Sequence, residues 1–262
     1  MLFRSDAITQ VNLDFVHDVC YQGLHALDRS LDSETPLGLA SLGAWPTVYQ
    51  GLAELPEPAR SSWFAFDHHY SDTSFPSILP DVFATAPKNL LDIGANTGKF
   101  SLAALQFNSD VVMHLVDLSQ QLAVARNTLE SHELAKRAHF HARDMLAVDV
   151  AFPRDMDLIW MSQFLSCFSE AVISSIFLRA AAALAPQGQI LILDTFWDRQ
   201  RYPIAAYCLL NTSPYFTAIA SGNSKVYESG DYIRLAKDAG LKLLTVRDGI
   251  GYCHSMLRFA LT

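Results

Sequence analysis

The residues best placed to do chemistry lie in one stretch, LLDIGANTGKF, at residues 90–100. A short apolar run reaches Gly94, which lets the backbone turn sharply, and Gly98 allows a ligand or a helix to approach closely. Asn96 stands where a third glycine is expected, and asparagine tolerates left-handed backbone angles better than most non-glycine residues. The pattern indicates a nucleotide-binding turn, although from this element alone a plain strand–helix connection explains it equally well.

Acidic residues accompany three successive predicted strands. Asp92 precedes the glycine turn, Asp117 ends the second strand 23 residues after the first glycine, and Asp144 follows the third strand. A carboxylate at the second strand end can accept hydrogen bonds from ribose hydroxyls, and the apolar neighbours Leu118 and Met145 suit a purine ring. Each aspartate alone is more typical of a helix cap or a turn. Together they favour an adenosine site.

The glycine turn argues against two common nucleotide classes. It lacks the Lys-Ser/Thr ending of a P-loop, which disfavours phosphoryl transfer. It also lacks the G-x-G-x-x-G pattern, because Asn96 and Lys99 occupy the second and third glycine places, and this weakens the alternative of an NAD-dependent oxidoreductase. A ligand without phosphates suits the turn better, and Asp92 suits a cationic one. S-adenosylmethionine meets both conditions.

Strands and helices alternate from residue 89 onward. The sequence predicts strands over 89–93, 111–116, 139–141, 157–162, 189–194, 242–247 and 252–261, and helices over 98–107, 120–131, 169–184 and 230–240. Such alternation predicts an α/β fold with a doubly wound, seven-stranded, Rossmann-like sheet. Ligands of such sheets bind outside the carboxyl ends of the strands, where the strand order reverses.

The N-terminal third has a different character. Seven of the eleven prolines lie between Pro36 and Pro87. Apolar residues at helical spacing predict a helix over 8–31, a loop over 36–43, and short helices over 45–52, 59–70 and 75–83. We therefore expect an N-terminal helical cap over residues 1–85 and a cofactor-binding domain over 86–262. The later segment 199–228 is long enough to form a lid.

Composition excludes several classes of protein. The 262 residues include 19 basic and 27 acidic side chains, a net charge of −8, and half are hydrophobic, which excludes intrinsic disorder. The acidic balance, without a basic stripe, argues against a nucleic-acid partner, and no apolar run is long enough to span a membrane. The four cysteines are scattered and form no C-x-x-C pair. This usage predicts reduced thiols in a cytoplasmic protein.

Several motifs resemble those of a known family when taken in order. Four segments resemble successive motifs of class I S-adenosylmethionine-dependent methyltransferases. They are 92–98 (DIGANTG), 116–118 (VDL), 143–146 (RDML) and 188–194 (GQILILD). Segments 65–72 (AFDHHYSD) and 157–170 resemble parts of the small-molecule O-methyltransferases of the plant phenolic and hydroxyindole type. The resemblance covers roughly residue 45 to the C-terminus.

The resemblance implies a set of cofactor contacts. It implies that Gly94, Gly98, Asp117, Asp144 and Met145 contact the cofactor and that the helix around 66–75 covers the site. The predicted cofactor-binding set is completed by Asp92, Asn96, Leu118, Gln163 and Tyr70. The family resemblance also implies a homodimer.

The chain departs from the family pattern in two places. Where these O-methyltransferases place a His-Asp pair, with the histidine as general base, this chain has Ser166 and Cys167. We also expect most of the N-terminal winged-helix dimerisation domain to be missing, since the predicted helix 8–31 looks like its last helix only.

Methyl transfer from a sulfonium is an in-line displacement, so the protein mainly has to align the reactants. A base is needed only where the acceptor must lose a proton, as a phenol with a pKa of ~10 must at neutral pH. The candidates for a catalytic role are Gln163, Asp194 and His254. Each also has an ordinary structural explanation: Gln163 as a polar residue at a helix start, Asp194 as a cap and His254 as a core histidine. The histidines lack metal-ligand spacing, and we expect no metal.

Aromatic residues after the fourth and fifth strands are the candidate acceptor wall, although they are also explained as ordinary core. They are Phe164, Phe168, Trp197, Tyr207, Tyr215 and Phe216. The predicted function is S-adenosylmethionine-dependent methyl transfer to a small aromatic metabolite, with O-methylation implied by the resemblance. The missing histidine leaves C-methylation or an acidic acceptor open, and the rival hypothesis is a non-catalytic scaffold or subunit.

Overall fold

The computed structural model describes residues 6–147 and 150–262, and residues 1–5 of the predicted cap lie outside it. The described residues form a seven-stranded sheet in the order β3-β2-β1-β4-β5-β7-β6. The strands are β1 (Asn89–Ile93), β2 (Val112–Asp117), β3 (Ala138–Ala142), β4 (Met156–Ser162), β5 (Leu184–Asp194), β6 (Leu241–Ile250) and β7 (His254–Leu261). The first five are parallel and β7 runs antiparallel to both its neighbours. The predicted doubly wound α/β fold is confirmed.

Helices cover both faces of the sheet. On one face lie α5 (Phe75–Val82), α6 (Lys99–Phe107) and α7 (Ser119–Glu130); on the other lie α8 (Glu170–Ala183) and α11 (Ser229–Asp238). Each face has its own apolar core, because successive side chains of a strand point to opposite sides. The strand order reverses between β1 and β4, which places the crevice for a ligand at their carboxyl ends.

The N-terminal segment folds into a cap with a third core. Its helices are α1 (Ala7–Phe15), α2 (Leu27–Ser33), α3 (Val48–Gly51) and α4 (Ala59–Ser71). The later segment contributes α9 (Pro203–Leu210), α10 (Ser213–Tyr215) and a π-helical turn over Phe216–Ala220. Tyr215 and Ile219 are buried with Phe15 and Trp63 in one cluster. The segment predicted as a lid therefore packs into the cap and shares its core.

Several predicted boundaries are wrong, each for a local reason. The helix over 8–31 is interrupted by a π-helical turn at Val16–Cys20 and a tight turn at Gly23–Ala26, and the predicted loop after it contains the turn Leu37–Ser41. β5 begins at Leu184, five residues early, because an irregularity in its pairing with β4 accommodates Pro186. None of the helices in the described residues is long and apolar enough to cross a membrane.

Candidate active site

A cavity of about 630 Å³ opens at the carboxyl ends of the parallel strands, between the sheet and the cap. Three groups of residues share its wall: the glycine turn, the polar strand ends, and aromatic side chains of the cap. Six aspartates line it, namely Asp67, Asp72, Asp92, Asp117, Asp144 and Asp194. The cavity is therefore acidic, and it lies where the doubly wound topology predicts a ligand.

The glycine turn adopts left-handed backbone angles at its key positions. Gly94 has φ of +80°, Asn96 +46° and Gly98 +78°. A Cβ atom on residue 94 would lie 2.3 Å from the ring of Phe164, so that ring packs directly on the glycine. Asn96 has the one left-handed conformation of the three that is not at a glycine, which asparagine tolerates. Gly98 lies outside the cavity wall, where its small size lets α6 approach Ala125 of α7.

Asp117 organises the turn. Its carboxylate accepts hydrogen bonds from the backbone N–H of Asn96 at 2.8 Å and of Leu118 at 2.7 Å. Burial raises the pKa of Asp117 to about 6, so the carboxylate is mostly ionised at pH 7. Asp144 accepts a hydrogen bond from the backbone N–H of Leu146 at 2.9 Å. The predicted ribose and adenine residues thus lie along one wall, with Met145 beside them.

Asp92 lies deeper than the other strand-end carboxylates. Its side chain accepts a hydrogen bond from the Ser101 hydroxyl of α6 at 2.6 Å, and the residue is only 2% exposed. Burial raises the pKa of Asp92 to about 7. The carboxyl group therefore joins β1 to α6 while also lining the cavity.

The cap helix α4, which contains the segment 65–72 expected to cover the site, contributes further polar residues. Asp67 accepts a hydrogen bond from the side-chain amide of Asn96 at 3.0 Å, and Asp72 pairs with Lys99 at 2.7 Å. Burial raises the pKa of Asp67. The predicted residue Tyr70 also lines the cavity, where its hydroxyl accepts a hydrogen bond from Asn12 at 2.9 Å. Helix α4 is thereby fastened to the glycine turn.

Some polar atoms in the cavity wall lack a protein partner. Within the described residues these are Oε1 of Gln50, Oδ1 of Asn96, Oγ1 of Thr97, Nε of Arg143, Nε1 of Trp160 and Oγ of Ser162. Buried polar atoms are nearly always hydrogen-bonded, so a set of unpaired ones around a cavity indicates a polar ligand. The residues present therefore fit a nucleoside with several hydroxyl and amino groups.

The three candidate catalytic residues end up in different places. Gln163 lines the cavity, with φ of +48°. Asp194 also lines it, at the end of β5, and its carboxylate accepts hydrogen bonds from the Tyr232 hydroxyl at 3.0 Å and the Thr195 N–H at 2.8 Å. Burial raises the pKa of Asp194 to about 6. His254 is 1% exposed and lies outside the cavity wall, so the prediction that it acts there is wrong.

Cys167 faces the cavity where the resembling enzymes carry the histidine–aspartate pair. Burial raises the pKa of its thiol, even though the Tyr49 hydroxyl is hydrogen-bonded to it, so the group is a neutral thiol at pH 7. Ser166 lines the same wall. This stretch therefore supplies no ready proton acceptor.

The acceptor side of the cavity is aromatic. Phe164, Phe168, Tyr215 and Phe216 line it as predicted from the sequence, whereas Trp197 and Tyr207 do not. Tyr207 points outward from α9 and is 64% exposed, so its assignment to the wall is wrong. Phe66 also lines the cavity and lies in the helix expected to cover the site. The aromatic residues that the sequence patterns missed come from the cap and the β6–β7 turn: Phe15, Tyr49, Trp63 and Tyr252. Their spacing carries no signal, because they meet only when the cap docks.

Comparison with known proteins shows a similarity over the central part of the chain. Residues 91–190 match a family model described as a methyltransferase domain. The similarity to a methyltransferase domain thus covers 100 of the 262 residues. The matched segment runs from β1 into β5 and contains the glycine turn, Asp92, Asp117 and Asp144, whereas Asp194 lies beyond its end. Comparison with curated protein sequences gave no significant match.

Solved structures share the fold of the methyltransferase domain and of the cap. The apo S-adenosylmethionine-dependent methyltransferase SibL is 22% identical, with 97% of this chain and 73% of that chain covered and a TM-score of 0.75. Mitomycin 7-O-methyltransferase MmcR is 16% identical, with 93% and 68% covered and a TM-score of 0.76. The O-methyltransferase NcsB1, in complex with S-adenosylmethionine and 2-hydroxy-5-methyl naphthoic acid, is 18% identical, with 98% and 70% covered and a TM-score of 0.73.

At these identities the likeness shows a common fold. The class I methyltransferase fold expected from the sequence motifs is therefore confirmed. Among residues 6–147 and 150–262, no group of three or more His, Cys, Asp or Glu side chains is arranged to hold a metal ion.

Proposed function

We propose that the chain is an S-adenosylmethionine-dependent methyltransferase that acts on a small aromatic molecule. The observation that carries this proposal is the acidic cavity around the glycine turn, with unpaired polar atoms in its wall. The wall contains six acidic side chains, against the two basic side chains Lys99 and Arg143 and the histidine His68. Such a cavity repels a pyrophosphate and favours a cationic nucleoside.

Each part of the cofactor has residues that would hold it. Asp117 would accept hydrogen bonds from the ribose hydroxyls, and Asp144 with Met145 would hold the adenine. Asn96 and Thr97 would supply the polar atoms that have no partner within the protein. SibL is named as an S-adenosylmethionine-dependent methyltransferase, and NcsB1 is described with this cofactor bound, which supports the choice.

Bound S-adenosylmethionine supplies a methyl group that is already activated for displacement. The residues of the chain must therefore bind and orient the acceptor. The apolar wall, including Phe164 and Phe168, keeps water away from the reacting atoms, and the aromatic side chains of the cap hold a flat acceptor in one orientation. Gln163, at the end of β4, orients the acceptor through its side-chain amide.

We propose that Asp194 receives the acceptor proton when the acceptor is a hydroxyl group. It is a buried carboxylate on the acceptor side, and its raised pKa of about 6 makes it a better proton acceptor than an ordinary aspartate while leaving it mostly ionised at pH 7. O-methylation is supported by the names of MmcR and NcsB1. Methylation of an electron-rich ring carbon, which needs a weaker base, is the alternative.

Calorimetric titration of the purified protein with S-adenosylhomocysteine, with NAD as the control, tests the proposal. We expect binding of S-adenosylhomocysteine at micromolar concentration or below and no binding of NAD. Phenolic acceptors would then be screened for transfer of a labelled methyl group. Absence of S-adenosylhomocysteine binding would contradict the proposed function and favour a non-catalytic scaffold.

A further inference from the structure

Three carboxyl groups on separate elements lie near Cys167 in the cavity wall. Asp67 lies on α4, Asp117 at the end of β2 and Asp194 at the end of β5. All three line the cavity, and Cys167 faces it between them. Their charges act on the Cys167 thiol and, together with burial as the larger cause, raise its pKa. A negative charge is therefore disfavoured at this point of the wall by the groups that surround it.

The basic side chains of the cavity wall either contact carboxylates or lie on the side assigned to the adenine. Within the described residues they are Lys99, Arg143 and His68. Lys99 pairs with Asp72 at 2.7 Å, and the His68 ring lies 3.5 Å from the same carboxylate. Arg143 directly precedes Asp144, on the side assigned to the adenine. The His68 ring also lies 3.9 Å from the Asp67 carboxylate, whereas none of the three side chains pairs with Asp194.

The rest of the acceptor wall is neutral. Trp63 donates its indole N–H to the Tyr215 hydroxyl at 2.9 Å, so those two polar groups satisfy each other. Phe15 stacks on Phe66 with ring centroids 4.1 Å apart. A flat ring can bind to this surface through apolar contact, whereas a carboxylate on that ring would find no cation to pair with.

We propose that the natural acceptor is an aromatic compound without an anionic group, and that a protonated amine on it strengthens binding. Asp67 and Asp194 set this preference. The inference rests on the proposed function, since it assigns the aromatic part of the cavity to the acceptor. It also separates this chain from NcsB1, whose described ligand is a naphthoic acid.

Three matched probes test the preference on protein saturated with S-adenosylhomocysteine at pH 7.5: 2-naphthol, 6-hydroxy-2-naphthoic acid and 6-(aminomethyl)-2-naphthol. Dissociation constants are measured by calorimetry. We expect the acid to bind at least ~10-fold more weakly than the naphthol and the amine to bind several-fold more tightly, because one nearby carboxylate changes affinity by roughly that factor at an effective dielectric of about 20. Equal affinities for acid and amine, or binding by none of the three, would overturn the proposal.

Two variants locate the preference. Asp67→Asn and Asp194→Asn keep the shape of each side chain and remove its charge, so each should reduce the ratio of amine to acid affinity several-fold. The matched control is Asp238→Asn, which removes one charge from the exposed end of α11, outside the cavity wall, and should leave the ratio unchanged. A ratio unaffected in both cavity variants would show that these carboxylates do not set the preference.

The two proposals fail in distinguishable ways. If S-adenosylhomocysteine does not bind, the proposed function fails before any probe is added. If it binds and the acid binds as well as the amine, the methyltransferase assignment stands and only the acceptor preference is wrong. Thermal unfolding of Asp67→Asn and Asp194→Asn shows whether each variant is folded, and either one alone suffices for the test.

Discussion

At the residue scale, Asp117 offers the most direct test of the cofactor assignment. Its carboxylate holds two backbone N–H groups of the surrounding loops and retains lone pairs towards the cavity. We expect Asp117→Ala to weaken S-adenosylhomocysteine binding by ~1–3 kcal/mol, because charged hydrogen bonds to ribose are lost. Calorimetric titration measures the change, with Asp238→Ala as the control. An unchanged affinity in Asp117→Ala would remove the ribose assignment.

Asp92 gives a second prediction, on stability without ligand. Burial raises its pKa from the ordinary 3.8 to about 7, so the folded protein holds this proton more tightly than the unfolded chain does. The resulting stabilisation is present below pH 4 and is lost as the pH rises towards 7. Asp92→Asn does not titrate and still accepts the Ser101 hydrogen bond. Its free energy of unfolding, relative to the wild type, should therefore rise by about 1–3 kcal/mol between pH 5 and pH 8.

Urea unfolding at pH 5, 6, 7 and 8 measures this difference. Asp238→Asn, which replaces an exposed carboxylate, should instead give a nearly constant difference from the wild type over the same range. If Asp92→Asn behaved in the same way as this control, the raised pKa of Asp92 would be wrong.

The residues found from the sequence are those with local patterns. Gly94, Asp117 and Asp144 each follow a short apolar strand, so their place at one sheet edge follows from topology. Asp67 and Tyr49 had no such signal, because they reach the cavity only through the docking of the cap. Tyr207 was misplaced for the same reason, since the direction in which α9 faces is decided by tertiary packing.

At the element scale, the glycine turn sets how α6 meets α7. Gly98 has φ of +78°, and a Cβ there would lie 2.9 Å from Cβ of Ala125 and 3.1 Å from its Cα. We expect Gly98→Ala to lower the free energy of unfolding by ~1–3 kcal/mol, through left-handed strain together with displacement of α7. Chemical denaturation measures the loss.

Gly230 provides the matched control for that substitution. It is exposed in the first turn of α11, and a Cβ there would meet only the Glu228 side chain, at 3.5 Å. Gly230→Ala should be neutral or stabilise the protein by up to about 1 kcal/mol, because alanine favours the helix. Equal losses at the two glycines would mean that the turn at Gly98 is not constrained in the way described.

Element types were predictable from the sequence, whereas several element ends were not. The strands β1, β2 and β4 are mostly apolar and lie within one residue of their predicted bounds. The helix over 8–31 was predicted as one piece, since its apolar spacing does not distinguish an α-helix from the π-helical turn at Val16–Cys20. That turn adds one residue and is chosen by packing against the rest of the cap.

At the scale of the whole molecule, polar contacts join the segment before β1 to the sheet. Arg258 of β7 donates to the backbone carbonyl of Asp81 at 2.8 Å, and Arg247 of β6 pairs with the side chain of Asp81, both at the end of α5. On the cavity side, Asp67 and Asp72 of α4 contact Asn96 and Lys99. The cavity exists only because these two parts meet.

The homodimer that the family resemblance implies stays a prediction, which light scattering after size-exclusion chromatography would test.

This arrangement predicts that cofactor binding orders the cap as well as the turn. A ligand seated on residues 94–98 would hold Asn96, and Asn96 is bonded to Asp67 of α4, so fluctuations that lift α4 from the turn should become rarer. We expect S-adenosylhomocysteine to slow amide hydrogen exchange in both the turn and α4, while α11, which contributes nothing to the cavity wall, serves as the internal reference. In Asp72→Asn, which loses the ion pair with Lys99, the slowing in α4 should be smaller and that in the turn retained. Protection confined to residues 94–98 in the wild type would show that the cap and the cofactor turn open independently.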